Sequence, residues 1–176
     1  MADEPFRLRL MKKITSVVKS VNPGNDYTFD LSDYVDSAGR TAERVHRGKD
    51  EFGDNDKPPV VGIFENPNNL VTHNDPANST TSANEFKLVL MGFVEEDKAH
   101  PLDPAYKLSA EIISALVKEK LDRFDILGFG HRMPCVTSMA IGQPIHRPPD
   151  GVVSSLPYFV IPLTLHLVEN LESPFA

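Results

Sequence analysis

The stretch that decides the fold lies near the end of the chain, at Arg147–Leu171, and reads RPPDGVVSSLPYFVIPLTLHLVENL. From Phe159 to Leu167 every odd position is apolar, whereas the even positions mix apolar and polar side chains. A period of two residues is typical of a β-strand with one face on a hydrophobic core. We therefore predict a strand over residues 156–169. Pro162 has no amide hydrogen for a sheet ladder, which predicts an edge or a bulge at that point.

The composition is that of one acidic globular domain. Its 176 residues are enough to bury a core. The net charge of -7 makes the chain a poor candidate for wrapping nucleic acid, which requires clustered Lys and Arg. The single cysteine, Cys135, excludes an intramolecular disulfide and a cysteine-based zinc finger. Because the sequence shows neither a signal peptide nor a membrane-spanning stretch, we expect a soluble protein made in the cytoplasm, without membrane contact.

Hydrophobic periodicity predicts two amphipathic helices and six strands. The helices are expected over residues 5–21 and 104–124, the second with Asp103 as its N-cap. The strands are expected over residues 27–31, 44–48, 60–65, 85–95, 135–147 and 156–169. Residues 66–84 are polar and rich in Asn, Ser and Thr, which predicts a projecting loop that either contacts a partner or is disordered.

These elements predict the fold class. The segment 85–95 is apolar on both faces, which indicates a central strand or a face covered by another subunit. Two helices that each carry one apolar stripe are most simply buried on one face of a sheet. We predict a single domain, residues 1–176, of class α+β: a mixed, mostly antiparallel β-sheet with two amphipathic helices packed on one face, and long polar loops.

The first helix carries a basic face, made of Arg7, Arg9, Lys12, Lys13 and Lys19. Two interpretations remain open for it. The face either contacts a phosphate or a partner, or it is an ordinary solvated helix surface.

Candidate catalytic and metal-binding groups do not form a recognised constellation. The acids of the loop 49–59 (Asp50, Glu51, Asp54 and Asp56) do not follow the EF-hand spacing, and no two of the six histidines have metal-ligand spacing. Cys135 has His131 and His146 nearby in sequence, which allows a thiol nucleophile, although no known local signature surrounds it. His166 and Glu169 have opposite parity on a strand and should face apart. We expect no cofactor, no metal and no catalytic site.

Several short runs together resemble a known family. They are Val45–Asp50 (VHRGKD), Val60–Glu65 (VVGIFE), Leu88–Glu95 (LVLMGFVE), Asp103–Tyr106 (DPAY) opening a helix, and Arg147–Asp150 (RPPD) before Tyr158–Glu169 (YFVIPLTLHLVE). In this order, after an amphipathic N-terminal helix, they resemble the tail terminator (tail completion) proteins of long-tailed bacteriophages, the class that includes the lambda-type terminator. The likeness extends over residues 5–171, with the polar stretch 66–84 as an addition and Gly151 where an acid is expected.

The resemblance implies a structural virion protein of the tail or neck rather than an enzyme. Such proteins form a hexameric ring that caps the tail tube protein, ends its polymerisation and joins the tail to the head-tail connector. Genomic DNA passes through the lumen without sequence-specific binding, which an acidic chain suits. The alternatives are another neck or tail component, namely a head-closure or tail tube subunit, and a small cytoplasmic enzyme that uses Cys135.

Twelve residues are predicted to contact other subunits or partners. They belong to the short strand 44–48, to the two polar loops 49–57 and 66–84, to the corner Arg147–Asp150, and to the less apolar faces of the two strongest strands. The full set is Arg47, Asp50, Glu51, Asn68, Asn69, His73, Met91, Phe93, Arg147, Asp150, Tyr158 and His166.

Overall fold

The structure is a computed structural model that describes residues 4–49, 52, 56–67, 81–121, 125–130, 134–150, 154–170 and 172. Two helices are present in this part of the chain, α1 (Phe6–Lys19) and α2 (Asp103–Lys120). The strands are β1 (Tyr34–Val35), β2 (Thr41–Ala42), β3 (Val45–Arg47), β4 (Val60–Glu65), β5 (Thr81–Phe93), β6 (Cys135–Ile141), β7 (Ile145–Arg147) and β8 (Tyr158–Asn170). The fold class is α+β, as predicted.

The main sheet has six strands in the order β3-β4-β5-β8-β6, with β7 also paired to β8. Only β3 and β4 run parallel, and every other pairing in this sheet is antiparallel. The longest pairing joins β5 to β8, from Thr81 opposite Asn170 to Phe93 opposite Tyr158. Strand β5 is therefore a central strand, which agrees with the apolar character of both its faces. Strands β1 and β2 form a separate small ribbon.

Both helices pack on one face of the main sheet, which we call the inner face. The odd positions of β8 from Phe159 to Leu167 are at most 1 % exposed and lie in the core, as the alternation predicts. The helices contribute Leu10 and Ile14 from α1 and Ile112 and Leu116 from α2, and the four side chains are completely buried. The apolar stripe of each helix thus meets the apolar face of the sheet.

Pro162 does not lie at an edge of the sheet, because β8 has neighbours on both sides. The carbonyl oxygen of Pro162 accepts a hydrogen bond of 2.7 Å from the amide of Gly142, which follows the end of β6. The amide position of a strand residue points to the same side as its carbonyl. The side of Pro162 that lacks an amide hydrogen therefore faces the gap between β6 and β7. The edge or bulge predicted from this proline is thus found as an interruption of the neighbouring strand.

The strand predicted over residues 27–31 does not form. The backbone amides of Thr28 and Phe29 instead donate to the carboxylate of Glu111 on α2, at 2.8 and 3.1 Å. The amide of Leu31 donates to the carbonyl of Val21, and its side chain is fully buried. The alternating apolar residues of this segment reach the core from an irregular chain, because a helix side chain replaces a neighbouring strand.

Other boundaries differ from those predicted. The segment 135–147 forms two strands rather than one, since Gly142 interrupts it. Strand β5 begins at Thr81, inside the predicted loop 66–84, of which residues 68–80 lie outside the described residues. Asp103 is the first residue of α2, so Leu102 occupies the N-cap position. Residues 122–124 of the predicted helix also lie outside the described residues.

Candidate protein-interaction surface

The face of the sheet opposite the helices, which we call the outer face, carries apolar rows across neighbouring strands. One row joins Gly62, Met91, Val160 and Ile145, and the next joins Phe64, Val89 and Pro162, as the register requires. Pro162 is exposed, and so is 51 % of Ile145. The two rows that follow contain Lys87, Thr164 and Ala140, then Glu85, His166 and Ser138. The outer face is therefore apolar in its middle and polar towards one end.

A small second core covers the other end of the outer face. Phe93 and Tyr158, two predicted contact residues, are buried there at 7 % and 9 % exposure, together with Val60. Phe52 and Leu156 pack over them, and the rings of Phe52 and Phe93 are 5.3 Å apart. Their apolar character thus serves packing within the chain.

The remaining predicted contact residues fall into four groups. Met91 and His166 lie half-buried on the outer face, whereas Arg47 on β3 and Arg147 on β7 are exposed at opposite edges of the sheet. Asp150 is exposed in the corner after β7, where its carboxylate accepts from the amide of Ser154 at 3.3 Å. Asp50, Glu51, Asn68, Asn69 and His73 lie outside the described residues.

Four basic side chains of α1 form ion pairs within the chain. Arg7 forms a two-point contact with Glu169, which is only 6 % exposed and also accepts from Asn84. Lys12 pairs with Glu4, Lys13 with Glu119, and Lys19 with Asp33 and Glu43. Most of the basic face is thus neutralised locally, which favours the interpretation as ordinary helix surface over a phosphate site.

A cleft of about 360 Å³ lies where β5 ends and β4 begins. We call it the end cleft. Its apolar lining consists of Phe29, Pro58, Pro59, Val94 and Pro104, and its polar lining of Thr28, Glu95, Glu96, Asp97 and Lys107. Backbone amides of Ala99 and His100 hydrogen-bond the carboxylate of Asp97 and hold its pKa below the usual range. Glu95 and Glu96 are exposed and form no ion pair with the described residues.

A half-buried histidine cluster joins β7 to α2, and the sequence patterns do not reveal it. The ring of His146 stacks on Tyr106, with centroids 3.7 Å apart, and its Nε2 lies 2.9 Å from Ser109 Oγ. The hydroxyl of Ser109 also lies within hydrogen-bonding distance of the carbonyl oxygen of Tyr106, at 2.9 Å. Burial lowers the pKa of His146. The cluster fastens β7 to the helix.

A second histidine lies beside the second core. His46 is half-buried, with Nε2 at 3.9 Å from Asp56 Oδ1, and Asp56 forms an ion pair of 2.7 Å with Lys49. Burial, reinforced by the Lys49 ammonium, lowers the pKa of His46. His46 is therefore a neutral packing residue against Phe52, whose ring centroid is 5.4 Å away.

The structure separates the other candidate catalytic pairs. Cys135 lies opposite Val168 on the outer face, whereas the ring of His146 lies on the inner face, so the two do not meet. His166 and Glu169 also face apart, as their parity predicts. His131 lies outside the described residues. Within the part of the chain that the structure describes, no three His, Cys, Asp or Glu residues are placed to hold a metal ion.

No model of a known protein family matches the chain, and no curated protein has a significantly similar sequence. Among the described residues, neither helix has the length and apolar character required to cross a membrane.

Proposed function

We propose that this protein is a bacteriophage tail terminator, a virion protein of the tail or neck that forms a ring. In this role it caps the tail tube, ends tube polymerisation and joins the tail to the head-tail connector. The observation that carries the proposal is the outer face, whose apolar rows remain on the surface because both helices cover the inner face. Exposed apolar rows of this kind are typical of surfaces that meet other proteins.

The charge distribution supports a passage for DNA. The net charge is -7, and four cations of α1 already pair with acids of the same chain. A protein that binds DNA tightly presents unpaired Lys and Arg to the phosphates. A ring built from this chain would therefore let DNA slide through its lumen without strong binding.

The direct test is assembly of the purified full chain, alone and with polymerising tail tube protein. We expect ring-shaped particles in negative stain, a matching mass by mass photometry, and tubes that stop growing once capped. A chain that stays monomeric and leaves tube length unchanged would contradict the proposal. Binding to the connector but not to the tube would instead assign a head-closure role, and incorporation along the tube would assign a tube subunit.

A further inference from the structure

The corner Arg147–Asp150 and the end cleft lie at the same end of the sheet. In the register of the main sheet, Val60 of β4, Phe93 of β5, Tyr158 of β8 and Arg147 of β7 form one row across the strands. The corner continues from β7, whereas the end cleft lies beyond β4 and β5. Neighbouring strands are about 4.8 Å apart, so β4 and β7 are separated by about 15 Å.

The two surfaces are complementary in chemistry. The corner presents an exposed arginine, two prolines and an exposed aspartate, in the order Arg147, Pro148, Pro149 and Asp150. Among the described residues, the end cleft offers a lining rich in proline with one aromatic ring, the acids Glu95, Glu96 and Asp97, and one cation, Lys107. Consecutive prolines favour an extended chain, and such chains bind in clefts lined by apolar and aromatic side chains. The arginine matches the two glutamates, and the aspartate matches the lysine.

The groups that matter are available for such a contact. Arg147, Glu95, Glu96 and Lys107 are exposed and form no ion pair with the described residues. The described residues that line the end cleft include none from the corner, so the corner does not occupy the cleft of its own copy. Each copy therefore carries a cleft and a corner of matching charge.

We propose that the corner Arg147–Asp150 of one copy inserts into the end cleft of the next copy. The inference rests on the proposed ring and assigns its contact surfaces. The contact is heterologous, because each copy inserts its corner into a second copy and receives the corner of a third, and it closes into a ring when its rotation divides a full turn. Arg147 pairs with Glu95 and Glu96, Asp150 approaches Lys107, and the prolines pack on Phe29 and Pro59.

The test uses the full chain with two charge reversals. Arg147→Glu reverses the charge of the corner and leaves the cleft unchanged. The double variant Glu95→Lys/Glu96→Lys reverses the charge of the cleft and leaves the corner unchanged. We expect each to weaken assembly at least about tenfold in sedimentation velocity, because like charges then meet in a partly desolvated contact. The triple variant that combines all three changes should recover assembly. Circular dichroism and thermal unfolding establish that each variant is folded.

Mixing the two defective variants tests the pairing of corner with cleft directly. In the mixture each native corner can meet a native cleft and each reversed corner a reversed cleft, so rings in which the two variants alternate should form. Matched controls with the same change in charge are Lys120→Glu and Glu65→Lys/Glu172→Lys, which lie outside both surfaces and should assemble like the wild type. A mixture that stays dissociated would contradict the corner-to-cleft contact, and assembly that stops at dimers would indicate a reciprocal two-fold contact instead of a ring.

A covalent trap decides the contact independently of assembly strength. Asp150→Cys and Lys107→Cys, in a Cys135→Ser background, should give a ladder of disulfide-linked multimers on oxidation. Rings in the wild type, together with unaffected reversal variants and no ladder, would overturn the corner-to-cleft contact and leave the proposed function standing. A ladder from a chain that never caps tubes would uphold the contact and overturn the proposed function. Monomers without a ladder would overturn both.

Discussion

At the scale of single residues, Gly92 of β5 is constrained by Phe159, the first aromatic core residue of β8 opposite it. Gly92 pairs with Phe159, and a Cβ atom at Gly92 would lie 2.2 to 2.9 Å from three ring atoms of Phe159. The ring, which is fully buried, occupies the space that a side chain would need. In the sequence, Gly92 is only a break in an apolar run. The need for a glycine at this position is explained by its cross-strand partner, Phe159.

Gly92→Ala should destabilise the protein by about 1–3 kcal/mol, because the core cannot absorb the added methyl without displacing the ring. The measurement is the midpoint of urea unfolding. Phe159→Leu in the same background should recover part of the loss, since a smaller side chain leaves room for the methyl. Additive losses from the two changes would contradict the steric explanation.

His146 should make stability depend on pH. Its pKa lies below the ordinary value of 6.5 because of burial, so below pH 6.5 the unfolded chain binds a proton that the folded chain does not. His146 therefore does not reduce the free energy of unfolding above pH 6.5. Below pH 6.5 this free energy falls as the pH decreases towards the pKa of His146 in the folded state. Burial also lowers the pKa of His46, so His46 likewise reduces the free energy of unfolding as the pH falls.

The comparison that isolates His146 is His146→Gln, which keeps a donor for Ser109 but does not titrate. Its unfolding free energy should fall less steeply than that of the wild type below pH 6.5. Equal slopes in the two proteins would show that His146 is not the group responsible.

At the scale of elements, the segment 26–31 illustrates how a helix side chain can replace a strand neighbour. The carboxylate of Glu111 accepts both amides of Thr28 and Phe29, and these residues also line the end cleft. On the surface of α2, Glu111 has the sequence context of an ordinary exposed charge. Its role depends on a loop more than eighty positions away, which no local pattern contains.

Glu111→Ala should destabilise the protein by about 1–3 kcal/mol, because two amides lose a charged acceptor. Hydrogen exchange of the Thr28 and Phe29 amides should accelerate at the same time. The matched control is Glu119→Ala on the same helix, which removes only a surface ion pair with Lys13 and should cost about 1 kcal/mol or less. Equal losses in the two variants would exclude the proposed role of Glu111.

At the scale of the whole molecule, charge and shape point to contacts with other proteins rather than with nucleic acid. The two-layer arrangement leaves the outer face open in the middle, and the corner and the end cleft lie at the same end of the sheet. The chain is acidic, and four of the cations on α1 are paired. These features favour a subunit that assembles with its own copies.

Double-stranded DNA should therefore not be retarded by the protein in a gel-shift experiment at physiological salt, since the net charge of -7 disfavours binding to the phosphates. Reversal of Glu95 and Glu96 to Lys replaces two negative charges by two positive ones in one place and serves as a positive control that should bind weakly. Salt-sensitive retardation by the wild type would contradict the proposed passive lumen.

Much of the fold follows from local patterns. The period of two in Phe159–Leu167 places one face of β8 in the core, and the stripes of both helices indicate which sides are buried, because side-chain direction depends only on the local backbone. The corner Arg147–Asp150 is likewise visible as a polar turn beside an apolar strand.

What the local patterns leave open is decided by pairing between distant segments. Because Pro162 has no amide hydrogen, the sequence predicts an edge or a bulge, yet β8 is an interior strand. The gap at Gly142 in the neighbouring strand accommodates the missing hydrogen bond. The end cleft assembles from residues 28–29, 58–59, 94–97, 104 and 107, and the His146 cluster joins a strand to a helix. Strand order and helix placement create these sites, because residues far apart in the chain meet only when one shared core is buried.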